Sequence, residues 1–160
     1  MIRRDDSIGR DDPFDLSRFT KAQEGIYDSV LAELKSGRKR THWIWFIFPQ
    51  FAGLGHSPTS QHYAIKSIEE ARQYLKHPVL GARLPECAKA VLAVEGRSVS
   101  EIFGYPDDLK LKSSMTLFAS VAEDPHSVFI RVLEKYFQGE RDDRTLQLLE
   151  RLSPDTVSTP

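Results

Sequence analysis

Apolar residues recur at three- and four-residue spacing along nearly the whole chain, and one short run, "WIWFIF" at 43–48, has β character. Residues three and four apart share a helix face, whereas a single strand has no ladder partner, so the pattern predicts a mainly α fold. In "DDPFDLSRFTKAQEGIYDSVLAELKSG" one helix is expected, with Leu16, Phe19, Ile26, Val30, Leu31 and Leu34 on its buried face. Asp12 or Asp15 would cap it and Gly37 would end it. "SPTSQHYAIKSIEEARQYLKH" predicts a second, capped by Ser57 or Thr59 and stopped by Pro78, with Ala64, Ile65, Ile68, Ala71 and Leu75 inward.

The rest of the chain continues in this way. A third helix is expected over 79–95, its first turn set later if Pro85 interferes, and a short turn of helix at "SVSEIFG". "YPDDLKLKSSMTLFASVAED" follows, capped by Asp107 or Asp108; then "DPHSVFIRVLEKYFQG", with Asp124 as cap and Pro125 in first position; then "DDRTLQLLERL". "WIWFIF" either stands as an isolated buried segment or joins a helix begun by "SGRKRTHW". The expectation is one compact domain over 11–152 of six to seven helices, with at most one short extended segment and flexible tails at 1–10 and 153–160.

Size and charge narrow the function classes. At 160 residues and 40% hydrophobic content the chain can close one core without a disulfide or structural metal. The 22 basic and 23 acidic residues nearly cancel, which leaves no broad positive field for nucleic acid or an anionic membrane. The longest apolar run, Trp43 to Pro49, is far too short to span a bilayer, and the N-terminus has no apolar leader segment. A single cysteine, Cys87, sits in an apolar run and reads as a small buried hydrophobe. A cytoplasmic protein is expected.

The stretch "HWIWFIFPQFAGLGHSPTSQHY" holds both tryptophans and three of the five histidines. Aromatics at this density are most simply core. The neighbourhood adds something else: Pro49, Gln50, Gly53, Gly55 and Pro58 form a turn-rich loop leading to a helix start, where Ser57, Thr59 and Ser60 add hydroxyls to free backbone N–H groups. That combination suits a planar, phosphorylated ligand, with Trp43 and Trp45 as the aromatic wall. In "DDLKLKSSMTLF", Asp107 or Asp108 and Lys112 could face the same cleft, although aspartates also cap helices and lysines coat solvated faces.

Other chemistries lack their motifs. There is no HExxH or paired CxxC, so neither metal nor cofactor is expected; nor is there a GxSxG, a GxGxxG after a strand, or a GxxxxGK[ST]. The basic "GRKR" at 37–40 reads as a helix C-terminus complementing its dipole.

The segments "FDLSRFTKAQ", "WIWFIFPQFAGLGHSPTSQHYAI", "EEARQYLKHPVLGARLPEC", "IFGYPDDLKLKSSMTLFA" and "TLQLL" together resemble the bacterial family called domain of unknown function 1810, over about Phe14 to Leu149. That resemblance implies a mainly helical fold and no particular activity. The order "FIFPQF", "SPTSQHYAI", "LKLKSSMTLFA" is also similar, more faintly, to the YbiA-like or NADAR family, which cleaves N-glycosidic bonds of phosphorylated or ADP-ribosylated substrates. By that resemblance Gln61, His62 and Tyr63 stand where the family carries Glu-His-Tyr. The amide of Gln61 departs from the pattern, because a carboxylate is what stabilises an oxocarbenium-like centre, and Asp107 or Asp108 would have to replace it.

Two expectations follow. In the first the protein hydrolyses an N-glycosidic or related bond of a nucleotide-like or ADP-ribose-like metabolite: Trp43 and Trp45 stack the base, Ser57, Thr59 and Ser60 hold phosphate, His62 with Asp107 or Asp108 supplies acid and base, and Lys112 offsets charge. In the second the same cleft binds a ligand or a protein without turnover.

Overall fold

The computed structural model describes residues 12–152; the tails expected at 1–10 and 153–160 lie outside them. Ten helices are seen among the described residues: α1 (Ser17–Gln23), α2 (Tyr27–Lys35), α3 (Ile44–Ile47), α4 (Pro58–Tyr63), α5 (Ile68–Lys76), α6 (Leu80–Ala93), α7 (Val99–Phe103), α8 (Asp107–Val121), α9 (Val128–Phe137) and α10 (Asp143–Leu152). The fold is mainly α, as expected, but six to seven helices was an undercount. Two expected helices each divide, and "WIWFIF" becomes the short helix α3.

Both divisions are made by partners distant in sequence. Between α1 and α2 the chain turns at Glu24, with extended ψ of 128°, and Gly25, with φ of +80°. The turn lets the buried Gln23 amide donate to the Phe46 carbonyl at 2.8 Å. Between α4 and α5, Ala64 is extended and Ile65 pairs in parallel with Phe51: Ile65 N–H donates to Gln50 O at 2.9 Å, and Ala52 N–H to Ile65 O at 2.8 Å. Helical periodicity persists through Ile65, but these bonds to another segment win locally. Ser67 then restarts the helix by accepting from Glu70 N–H at 3.0 Å.

Several caps also differ from expectation. Asp12 does hold the entry to α1, accepting from Leu16 and Ser17 N–H at 2.7 and 3.0 Å. Asp107 and Asp108 lie inside the first turn of α8 and neither caps it. α9 begins at Val128 with Ser127 as its cap, while Asp124 accepts from His126 N–H in the preceding turn, which also contains Pro125. α6 runs straight through Pro85, and its start is held by His77, whose Nδ1 accepts from Val79 and Leu80 N–H at 3.1 and 3.2 Å.

α8 is the axis of the domain, with α3, α5, α7, α9 and α10 packed around it. Leu111 and every residue from Ser113 to Ala119 are buried, so this helix is covered nearly all round. One apolar cluster joins it to Phe19, Trp43, Phe48, Phe51 and Tyr74. Arg18 locks α1 against α4 and α5: it pairs with Glu70 at 2.7 Å, and its remaining donors reach the carbonyls of Phe14, Asp15, His62 and Ala64. The Arg18 and Glu70 side chains are only 6% and 4% exposed, a burial tolerable because all the guanidinium donors have acceptors. This lock fixes the path of residues 62–64 behind the site described next.

Candidate functional site

The two tryptophans, two residues apart, have different environments. Trp43 is 1% exposed and edge-on to Phe103, and its indole N–H donates to Glu33 at 2.9 Å. Glu33 also accepts from Arg40 N–H, Thr41 N–H and the Thr41 hydroxyl, at 2.7, 3.2 and 2.6 Å. Burial opposes the charge on this carboxyl, but the bonds from the Thr41 hydroxyl, Arg40 N–H, the Trp43 indole and Thr41 N–H outweigh it and hold the group down at about 2. Trp43 is therefore a sealed core residue and not the base-stacking platform expected of it.

Trp45 lies half-buried, and its indole N–H is buried without an acceptor among the described residues. It lines a crevice with Gln50, Phe51, Gly55, Ser60, Tyr63 and Ala64. The parallel pairing of Phe51 with Ile65 sets one wall against the other. Gly55 is required by close approach, because a Cβ there would lie 2.6 Å from the Ser60 Cβ and Oγ. Gln50 is fixed by donating through Nε2 to Ser113 Oγ at 2.7 Å, and Ser113 in turn donates to Lys110 O at 3.1 Å. The crevice is narrow, with free space for about one water molecule.

A charge cluster adjoins it. Lys110 Nζ lies 5.0 Å from the Trp45 ring centroid and 3.6 Å from one Asp107 oxygen; the other Asp107 oxygen pairs with Lys39 at 2.8 Å. The structure thus brings Trp45, Gln50, Ser60 and Tyr63 together, with Asp107 one lysine away.

The remaining candidates lie elsewhere. Ser57 caps α4, accepting from Ser60 N–H at 3.1 Å, and its hydroxyl meets Ser60 Oγ at 3.0 Å. Thr59 is exposed, Pro49 is buried, and Gln61 folds back to donate to His56 O at 3.2 Å. His62 stands edge-on to Tyr63 and borders a separate hollow beside Phe14, Arg18, Lys66 and Glu70, so it does not share the crevice with either aspartate. Asp108 accepts from Leu109 N–H at 2.8 Å. Lys112 turns away to Glu140, 3.2 Å distant, and to the Phe137 ring. Cys87 is 1% exposed, and burial pushes its thiol up to about 12, which suits a packing residue and not a nucleophile.

Phe51, Lys110 and Ser113 are not among the site residues expected from the sequence, whereas Gly55 is, as part of the turn-rich loop. Asp107 and Lys110, three apart on α8, share a face, while Lys112 lies about 200° from Lys110 around the helix. That phase was the available signal.

Residues 13–149 match the family described as "Protein of unknown function (DUF1810)". The chain belongs to the DUF1810 family. Its fold is similar to the crystal structure of the conserved hypothetical protein Rv1873 from Mycobacterium tuberculosis, with a TM-score of 0.84 and 56% sequence identity. The similarity covers 86% of this chain and 98% of that one. No curated protein matches the chain. Among the described residues of this DUF1810 member, no helix is long and apolar enough to cross a membrane.

Proposed function

We propose that the protein binds a small phosphorylated or ribosylated metabolite, nucleotide-like or ADP-ribose-like, at the Trp45 crevice. The observation that carries this reading is the buried indole N–H of Trp45, which has no acceptor among the described residues. A buried donor left unpaired costs about 1–3 kcal/mol, so an occupant that parts the crevice walls and brings an oxygen to it recovers part of that energy. Gln50 and Ser60 add polar groups on the same walls, and Phe51, Tyr63 and Ala64 add apolar surface. The narrow space favours insertion of one polar group, with the body of the ligand against the half-buried faces of Trp45 and Tyr63.

Thermal shift and titration calorimetry with ADP-ribose, AMP and ribose 5-phosphate test this. A ligand present at a hundred times its Kd stabilises the fold by about 2.7 kcal/mol, an easily read shift. Trp45→Phe keeps the ring but removes the donor and should weaken the best ligand about tenfold. If none of the three shifts the melting temperature, the reading fails.

Hydrolysis of an N-glycosidic bond is the second reading. It draws on the faint NADAR-like order of motifs and on Asp107, a carboxylate in the charge cluster beside Trp45. Such a reaction needs a carboxylate to stabilise the oxocarbenium-like centre or to activate water. Release of free base that Asp107→Asn abolishes while binding survives would establish it; binding without release leaves a non-catalytic ligand-binding domain. With its one cysteine buried and in no disulfide, the protein suits a reducing compartment such as the cytoplasm.

A further inference from the structure

The cluster beside the crevice is unequal in how it holds its charges. Lys39 is fixed three ways: to Asp107 at 2.8 Å, to the Thr41 carbonyl at 2.6 Å, and over the Trp43 ring at 5.0 Å. Its side chain is 6% exposed. Lys110 stands 3.6 Å from Asp107, beyond good hydrogen-bonding distance, and its side chain is 23% exposed. Two ammonium groups share one carboxylate, so a positive charge is left over, and it resides on the looser partner. That partner lies against the ring whose N–H has no acceptor among the described residues.

We propose that Lys110 is an anion anchor beside the crevice: it takes the phosphate monoester of the ligand at the crevice mouth, and one oxygen of the same group enters the narrow space to accept from the Trp45 indole N–H. Lys39 is a positioning residue: by holding Asp107 it keeps the anchor from being consumed in an internal ion pair. A phosphate suits the pair of donors because it offers several strong acceptor oxygens at close to two negative charges. The proposal rests on the crevice being a ligand site, and it adds which chemical group is read there and by which residue.

Calorimetric titration of AMP and of adenosine into the full chain separates the two ideas. The wild type should bind AMP about tenfold or more tighter than adenosine, with a preference that shrinks as salt rises. Lys110→Met should abolish the preference and leave adenosine binding unchanged, and Lys110→Arg should keep most of it. Asp107→Asn, which removes the competing carboxylate, should tighten AMP and leave adenosine alone. Circular dichroism melts report whether each variant is folded. Equal binding of AMP and adenosine, both weakened by Trp45→Phe, would leave the crevice a ligand site and overturn the anchor, as would a preference that survives Lys110→Met. Binding of neither would overturn the crevice reading and the anchor together.

Discussion

Replacing Glu33 by alanine should destabilise the protein by about 3 kcal/mol, because one carboxylate satisfies four donors around Trp43. The Arg40 and Thr41 donors lie in a loop that water reaches, and they recover part of their loss. The Trp43 N–H, on a residue 1% exposed, cannot, and its orphaning alone costs about 1–3 kcal/mol. Glu33→Gln retains an acceptor oxygen but loses the charge and should cost about 2 kcal/mol. Urea unfolding followed by tryptophan fluorescence gives both numbers. The pH dependence supplies an independent check. The carboxyl is lowered from 4.5 to about 2 on folding, so its charge-dependent stabilisation is fully present above pH 4.5 and is lost as pH falls toward 2. The full shift corresponds to about 3 kcal/mol, which solvent near the loop reduces to about 2. The stability gap between wild type and Glu33→Gln should therefore close on acidification from pH 5 to pH 2.5. A loss under 1 kcal/mol in the alanine variant, or a gap that stays constant with pH, would refute this account of the loop.

Two further outcomes follow from the packing. Gly81→Ala should lower the urea midpoint sharply, since the new Cβ would sit 2.1 Å from the Leu75 carbonyl oxygen and backbone cannot give way; unchanged stability would show that α5 and α6 are less tightly apposed. His77 caps α6 with its neutral Nδ1, and burial lowers its pKa despite the opposing pull of Asp12. Its stabilisation is complete above the unfolded value near 6.5 and falls away as pH drops below it, so melting temperature should decline from pH 7 to pH 5.5 in the wild type and more shallowly in His77→Ala.

The helical faces were legible in the residue spacing because burial at three- and four-residue intervals is a local property, as at Ala71, Val91 and Val132. The breaks were not, because their causes are distant: Gln23 reaches for Phe46, and Ile65 pairs with Phe51. The same reason separates Trp43 from Trp45. In the sequence they are equivalent, and what distinguishes them is Glu33, which reads as an ordinary acidic residue on a helix surface but turns inward to the Trp43 indole. Lys110 and Lys112 flank the buried Leu111, so one had to pass on each side of it. Which side faced Trp45 depended on how α8 is seated among its neighbours, and no local pattern encodes that.

The central claim is that Trp45, and not Trp43, meets a ligand. With only two tryptophans in the chain, two indole N–H signals in a ¹⁵N correlation spectrum report on them separately, assigned by Trp45→Phe. On titration with AMP or ADP-ribose the Trp45 signal should move to saturation, while that of Trp43, already bonded to Glu33, stays in place. A stationary Trp45 signal at saturating ligand, or a shift confined to Trp43, would contradict the account.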